Sequence, residues 1–475
     1  MNSSCSKIIL ELKNKITSTD DIEYAISLAE VLAKLLWSNN VGVYSFPDIE
    51  TYLQVKVIDS IGSSECVRNE EDEILFVISE PYLAGGHTRL MERLSEMLVE
   101  DVDLLISRHS GEQEKNRMSS FFASVITVPN SLSILNKIIH ISDIYAKYNK
   151  LILNIHPDDI ISVLSCGLAK KKNPNLKCFF INHADHVFNV GVTVADLWFE
   201  ISNFGRKIDK LRGVRCPTSF LGIPLDKNSE FFSENIKYPK SKDDVHKIIS
   251  AASGAKFKPI KGVSIFPTIS ELLADYPNAI IYIIGVNFYT DYWWWPVKLK
   301  HLSRLKVIKT LPYSEYLSLT KDSDLYIDSH PMPGGTAFVE QCLNGVYCTG
   351  IESPLQGYTP LEENKRKAGL SGFSINNLDI IMERIEAVHS FNKVRERFLN
   401  VIHHMTCSGN LLESYKGWTG NEHFLEKKDL KIFPCEMLSL ALKKDLQLIT
   451  IMIKTHPFIF VKSVFVFLVR KIIKK

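Results

Sequence analysis

Two series of short apolar runs, each alternating with stretches of helical spacing, govern what this chain can fold into. The first series comprises ILFVIS (74–79), a helical stretch Leu90–Val99, DLLIS (103–107), ASVITV (123–128), LILNI (151–155), a helical stretch Ile160–Leu168 and KCFFIN (177–182). The second comprises VHKIISAAS (245–253), a helical stretch Ile265–Leu273, AIIYIIG (279–285), LKVIKTL (305–311), Tyr316–Leu319, DLYIDS (324–329) and GVYCTG (345–350). Runs this short and apolar suit strands buried on both faces, and the helical stretches between them suit crossovers of a parallel sheet. The expected fold class is α/β: two Rossmann-like domains facing a central cleft. Ligands of such sheets bind outside the carboxyl ends of the strands.

The rest of the chain falls around these series. Residues 1–70 read as a helical N-terminal extension. Within it Ile22–Trp37 has helical spacing, and Asp20 or Asp21 is placed to cap it. The polar stretch Glu65–Asp72 marks a boundary, so the first domain is expected over 71–240. Its end is the linker Cys216–Asp226 with the polar residues to about Asp244. The second domain is expected over 241–415, and a helical tail over 416–475. A chain of 475 residues with 45% hydrophobic and 23% charged residues fits a soluble globular protein with large cores. A net charge of +2 gives nucleic acid no electrostatic footprint to grip. The nine cysteines form no C-x-x-C pair and no metal spacing, which fits reduced thiols in the cytoplasm. The opening residues lack the apolar core of a signal peptide, and no apolar run reaches the roughly 18–20 residues of a membrane span.

The segment Asp324–Gly345 carries the strongest chemical signal. A strand enters a Pro/Gly loop, and the loop opens a helix at Gly334, Gly335 and Thr336. Glycines there admit close approach to the backbone, and the free N–H groups of a helix start attract phosphate. Glu340 lies one turn beyond Thr336 on the same face, where a carboxylate can accept from ribose hydroxyls. An ordinary strand–loop–helix unit has the same outline. After VHKIISAAS, Lys256 and Lys258 follow a glycine turn and can reach a diphosphate, Lys256 being preferred; surface lysines are the plain alternative. Thr310, Leu311 and Tyr313 form a loop of the kind whose backbone reads a base edge, with Tyr313 or Tyr316 packing on it or lying in the core.

In the first series, Gly85 and Gly86 sit in a strand-to-helix turn, with His87, Thr88 and Arg89 opening the helix. Backbone N–H groups and Arg89 there can hold an anion or a sugar hydroxyl, and His87 can accept a proton. His183, Asp185 and His186 cluster at a strand end, as oriented bases or as polar loop residues. At a similar strand end, Asp158 or Asp159 is expected to cap the next helix. The spacing of His183 and His186 also permits a metal site, but no third ligand is apparent. Trp293–Trp295 cannot all face one core, and interdomain packing is the expectation for them. From Lys443 to Lys475 the tail carries eight Lys/Arg and one acid among strongly apolar runs. That pattern suits an anionic membrane surface, or a terminal helix packed on the protein.

Taken together, over roughly residues 71–415, these motifs resemble a glycosyltransferase of the GT-B type. Gly85-Gly86-His87-Thr88-Arg89 looks like the first glycine loop of that fold, Lys256 or Lys258 like its donor-phosphate lysine, and Thr310–Tyr313 like its base-reading loop. Asp328-Ser-His-Pro-Met-Pro-Gly-Gly-Thr336 is similar to the D-x-x-P-x-x-G-G-T-T pattern of bacterial polysaccharide transferases and O-GlcNAc-transferase-like enzymes, with Ala337 replacing the second Thr. Glu340 matches the ribose-binding acid. The E-x7-E pattern of retaining members is absent, since Met332 stands eight residues before Glu340, and this leaves the stereochemistry open. The resemblance implies a nucleotide-sugar donor held by the second domain and an acceptor held by the first. It implies no metal cofactor, and, for an inverting enzyme, a base among His87, His183, Asp185 and His186. The expected activity is transfer to a lipid-linked glycan, as in lipopolysaccharide O-antigen or capsule synthesis, in the cytoplasm or at the inner face of the cell membrane. A protein O- or N-glycosyltransferase and a non-catalytic nucleotide-sugar or glycan-binding subunit are the alternatives.

Overall fold

The structure is a computed structural model. It describes residues 3–62, 73–83, 86–225, 236, 239, 241–367, 369–370, 378–414 and 420–473. The chain forms two compact units: Met1–Ile201, Gly205–Ser219 and Leu425–Lys475 in the first, and Ser202–Phe204 and Phe220–Phe424 in the second.

The first unit opens with three helices, α1 (Ser3–Ser18), α2 (Ile22–Asn39) and α3 (Pro47–Ile61). Asp21 caps α2, its Oδ1 accepting from the Tyr24 N–H at 3.0 Å. Most of α2 is buried, and it touches α1 and α3 as well as helices of the sheet layer, as an apolar helix must. The βα units follow in chain order: β1 (Ile74–Ile78), α4 (Gly86–Ser95), β2 (Asp103–Ile106), α5 (Glu112–Met118), β3 (Ser124–Thr127), α6 (Ile134–Tyr145), β4 (Lys150–Asn154), α7 (Ile160–Lys172), β5 (Lys177–Ile181), β6 (Leu197–Glu200), α8 (Asn203–Arg212) and β7 (Thr218–Phe220). The sheet order is β3-β2-β1-β4-β5-β6-β7. In parallel register Phe76 faces Leu104 on one side and Ile152 on the other, and every residue of β1 is buried. The order reverses between β1 and β4, which opens a crevice at their carboxyl ends.

Buried Asp159 braces that end of the sheet. It accepts from Ser79 Oγ (2.5 Å) after β1, Ser107 Oγ (2.6 Å) after β2, and the Ser162 N–H (3.1 Å) in the first turn of α7. It is therefore the α7 cap that the strand-end motif leads one to expect.

In the second unit come β8 (Lys247–Ala251), α9 (Phe266–Asp275), β9 (Ile280–Ile284), α10 (Trp295–His301), β10 (Leu305–Ile308), α11 (Tyr313–Thr320), β11 (Leu325–Ile327), α12 (Thr336–Leu343), β12 (Cys348–Ile351), β13 (Lys365–Arg366), α13 (Leu378–His389) and α14 (Phe391–His404). Its sheet runs β10-β9-β8-β11-β12-β13, with the same reversal, here between β8 and β11. Ile249 of β8 pairs with Tyr282 of β9 and Tyr326 of β11. Trp294 is buried in this unit's own core against Phe257 and Phe266, ring centroids 5.5 and 5.1 Å away, rather than serving the interdomain packing expected of it.

The tail forms α15 (Cys435–Lys444), α16 (Leu446–Thr455) and α17 (Pro457–Ile473). Phe433, Met437, Leu448 and Met452 join the core of the first unit together with residues of α1 and α2. Extension, sheet and tail thus share one core. The chain leaves the first sheet near Phe220, inside the stretch expected to be a linker, because Thr218–Phe220 adds a strand to that sheet. No helix among the described residues is long and apolar enough to cross a membrane.

Replacing Asp159 by Ala removes a helix cap and takes the acceptor from three buried hydroxyls, those of Ser79, Ser107 and Ser162. A loss of about 3 kcal/mol in unfolding free energy is expected, against a smaller loss for D159N, as read by chemical denaturation.

Candidate functional site

At the reversal of the second sheet, the loops after β8 and β11 meet. The Met332 N–H donates to the Lys256 carbonyl at 3.2 Å, and Lys256 Nζ donates to the Pro333 carbonyl at 2.7 Å, with the Gly334 carbonyl at 3.5 Å. Lys256 is thus the lysine that lies on the glycine loop. Lys258 instead places its Nζ 5.3 Å from the centre of the Trp293 ring.

Gly335 caps α12 with φ +62°, a left-handed conformation natural to glycine, and no side chain caps that helix start. The first N–H groups of the helix are therefore offered to a ligand. A Cβ at Gly335 would meet nothing within 4 Å, so the space above it is open. Thr336 and Glu340 are both half-buried. Thr310 and Tyr313 are exposed beyond β10, while Leu311 packs partly into the core. The Tyr313 ring stacks 6.2 Å from that of buried Tyr316, whose hydroxyl accepts from Gln341 Nε2 at 2.9 Å.

Beneath the loop lies a group that the sequence did not bring to notice. Asp328 Oδ1 accepts from the Ser329 N–H (2.8 Å) and the Gly334 N–H (2.7 Å). Its Oδ2 is 2.6 Å from Lys365 Nζ, and Glu362 Oε1 is 3.8 Å from the same cation. All three side chains are buried. Burial works against the Lys365 charge, but Asp328 and Glu362 outweigh it and raise the lysine above its ordinary range. Burial pushes Glu362 up to about 7, against the pull of Lys365.

The first unit gathers histidines at its own reversal. The His87 Nε2–H donates to the Glu80 carbonyl at 3.0 Å; since a carbonyl only accepts, neutral His87 keeps its lone pair on Nδ1. Its ring stacks 5.3 Å from that of His183, and Tyr82 covers it edge-on at 5.0 Å. Burial lowers the pKa of His87, and burial with the neighbouring His87, His156 and His186 lowers that of His183 well below the usual value. Asp185 is buried and stands 3.2 Å from His186 Nδ1. Gly86 opens α4 with no atom within 4 Å of where a Cβ would be. Gly85 lies outside the described residues.

His156 also belongs here, although the strand-end motif suggested only a helix cap. Its Nδ1 hydrogen-bonds Asp158 Oδ1, and its ring meets Trp37 of α2 edge-on at 4.6 Å. Burial raises Asp158, but the His156 bond, Arg108 Nη1 at 2.8 Å and Lys34 at 3.8 Å outweigh it and hold the carboxyl below its usual range. The adjacent acids were indistinguishable in the sequence; Asp159 caps the helix and Asp158 orients His156.

No protein-family model matches the chain, and no curated protein matches it at a significant level. Among solved structures it is similar to a mutant O-GlcNAc transferase of Thermobaculum terrenum, with 12% identity, TM-score 0.47, and 85% of this chain and 78% of that one covered. It is similar to a lipopolysaccharide outer core galactosyltransferase, with 13% identity, TM-score 0.45, and 72% and 97% covered. It is also similar to a UDP-GlcNAc 2-epimerase of Methanocaldococcus jannaschii, with 14% identity, TM-score 0.39, and 74% and 97% covered.

The raised Glu362 has a measurable consequence. Unfolded, this carboxyl ionises near its ordinary value of 4.5; folded, it holds its proton to about pH 7. Its stabilising contribution is therefore complete below the unfolded value and is lost as pH rises through the folded one. Relative to E362Q, the unmodified chain should lose thermal stability steadily from about pH 4.5 to 7 and change little above that. A difference in melting temperature that does not vary with pH would contradict the assignment.

Proposed function

We propose that this protein is a glycosyltransferase that moves a sugar from a nucleotide-diphosphate donor to a hydroxyl of a lipid-linked glycan, such as a lipopolysaccharide O-antigen or capsule precursor. One observation carries the reading: Lys256 and the uncapped start of α12 converge where the second sheet reverses. Cation and N–H groups in that arrangement fit a leaving diphosphate. In this proposal they neutralise it without a metal ion, Glu340 accepts from the ribose, and the Thr310–Tyr313 loop carries the base.

On the acceptor side, a sugar hydroxyl is bound among His87, His156 and His183. Its oxygen forms the new bond to the anomeric carbon as the carbon–oxygen bond to the diphosphate breaks. The nucleoside diphosphate departs as the anion, and the hydroxyl proton passes to His87 Nδ1. The lowered pKa of His87 keeps that nitrogen unprotonated near neutrality.

The lipid part of the proposal is supported by α17. Phe458, Val461, Phe465 and Leu468 are 89%, 67%, 68% and 52% exposed and share one helical face, with exposed Lys462 beside them. From Leu446 to the end the sequence has six Lys/Arg and no acid. An apolar stripe with basic flanks suits the surface of an anionic membrane, at its cytoplasmic face.

Nucleoside diphosphates and sugar nucleotides, screened for thermal stabilisation, should yield at least one ligand that raises the melting temperature. K256M and E340A should weaken that ligand about tenfold or more, with the unliganded melting temperature of each read alongside. With the ligand identified, transfer should occur to an undecaprenyl-linked oligosaccharide, should fall steeply in H87A, and should persist in EDTA. Transfer to peptides instead would assign a protein glycosyltransferase, and donor binding without any turnover would assign a silent binding subunit.

The tail is tested separately by co-sedimentation with vesicles containing anionic phospholipid. The unmodified chain should pellet with them, less so at high salt. Serine at all four stripe positions should release it without affecting nucleotide binding. Equal pelleting by both proteins would remove the membrane from the proposal.

A further inference from the structure

We propose that Lys365, which the motif reading passed over, is a positioning residue for the donor diphosphate and acts through Asp328. The inference rests on the donor site proposed above.

Lys365 lies far from the glycine loop in sequence. Parallel pairing of β12 with β13 sets it opposite Gly350, next to the strand end that carries Asp328. A Cβ at Gly350 would lie 3.3 Å from the Asp328 Cβ, so the backbone passes close over that side chain. A Cβ at Gly334 would stand 2.6 Å from Asp328 Oδ1. The phosphate loop therefore rests directly on the carboxylate, which holds it by the Gly334 N–H. Lys365 Nζ reaches the other oxygen of Asp328 and also lies 5.3 Å from the centre of the Phe338 ring, in the first turn of α12.

The charge arrangement follows from these contacts. A buried carboxylate beneath a loop that receives a diphosphate repels it unless a cation cancels the charge. Lys365 is that cation. Among the described residues, the titratable neighbours include Glu362, whose proton is retained toward neutrality, His330, whose pKa burial and Lys365 lower to about 4, and Tyr326 and Cys348, whose pKa values burial raises well above the ordinary ones. Asp328 thus shapes the loop by hydrogen bonding, and Lys365 allows it to do so without expelling the ligand.

The test compares binding of the best nucleoside diphosphate with that of its unphosphorylated nucleoside in three variants, with melting temperatures alongside. K365M should weaken the diphosphate at least tenfold and the nucleoside far less, because the exposed charge acts on phosphate. D328N/K365M should recover most of the diphosphate affinity, since Asn still accepts from Gly334 and no uncompensated charge remains. D328N alone should bind the diphosphate at least as well as the unmodified chain. It also keeps the test alive should K365M not fold. Equal losses for diphosphate and nucleoside in K365M, no loss at all, or a selective diphosphate loss in D328N would each overturn the inference while leaving the donor site standing. Failure of the unmodified chain to bind any nucleoside diphosphate would overturn the donor site and this inference together.

Discussion

In each unit the chain lays its first strands outward in one direction, then returns to the other side of its first strand. Two adjacent crossovers consequently leave toward opposite faces of the sheet. The loops at the carboxyl ends of β1 and β4, and of β8 and β11, are left uncovered between them. Everything chemically distinctive follows from this geometry. His87 follows β1 and His156 follows β4, with His183 beyond the next strand. Lys256 follows β8, and the Gly334–Thr336 loop follows β11. The buried strands supply rigidity, and the reversal supplies the vacancy.

Uncovered loops with glycines have no reason to hold one shape, and each unit meets this with a buried carboxylate. Asp159 ties β1, β2 and α7 through hydroxyl and amide donors, with the Arg108 cation nearby. Asp328 has two amide donors for one oxygen, and the other oxygen requires Lys365. Such an ion pair adds little to stability over an apolar filling, because desolvating both charges offsets most of their attraction.

Legibility in the sequence followed distance along the chain. The alternation of apolar runs with helices revealed both sheets, since each strand carries its own pattern. Gly334, Gly335 and Thr336 were legible because loop and helix start are contiguous, and Lys256 because it follows a glycine turn after a strand. Lys365 was not, because its place beside Asp328 depends on the register of β12 against β13 across a loop with no periodicity. His156 and Asp158 were misjudged for a subtler reason: two adjacent acids before a helix look alike until one is seen to face Ser79 and the other Arg108. The short strands β6 and β7 escaped notice, β7 because it lies inside the Cys216–Asp226 stretch that reads as a linker.

The amino-terminal helices had no assignable role in the sequence; in the structure α2 joins two parts of the first unit. Lys34 lies 3.8 Å from Asp158 and 3.0 Å from Glu436 of α15; Glu30 pairs with Arg108 at 3.3 Å. The Asn39 side chain accepts from the Lys431 and Ile432 N–H groups and donates to the Ile432 carbonyl. One helix therefore touches both the His156 cluster and the tail that bears the exposed apolar stripe. Those two places are thereby held in fixed relation. A buried helix does that better than a loop, because its residues cannot shift separately without unpacking the core around them.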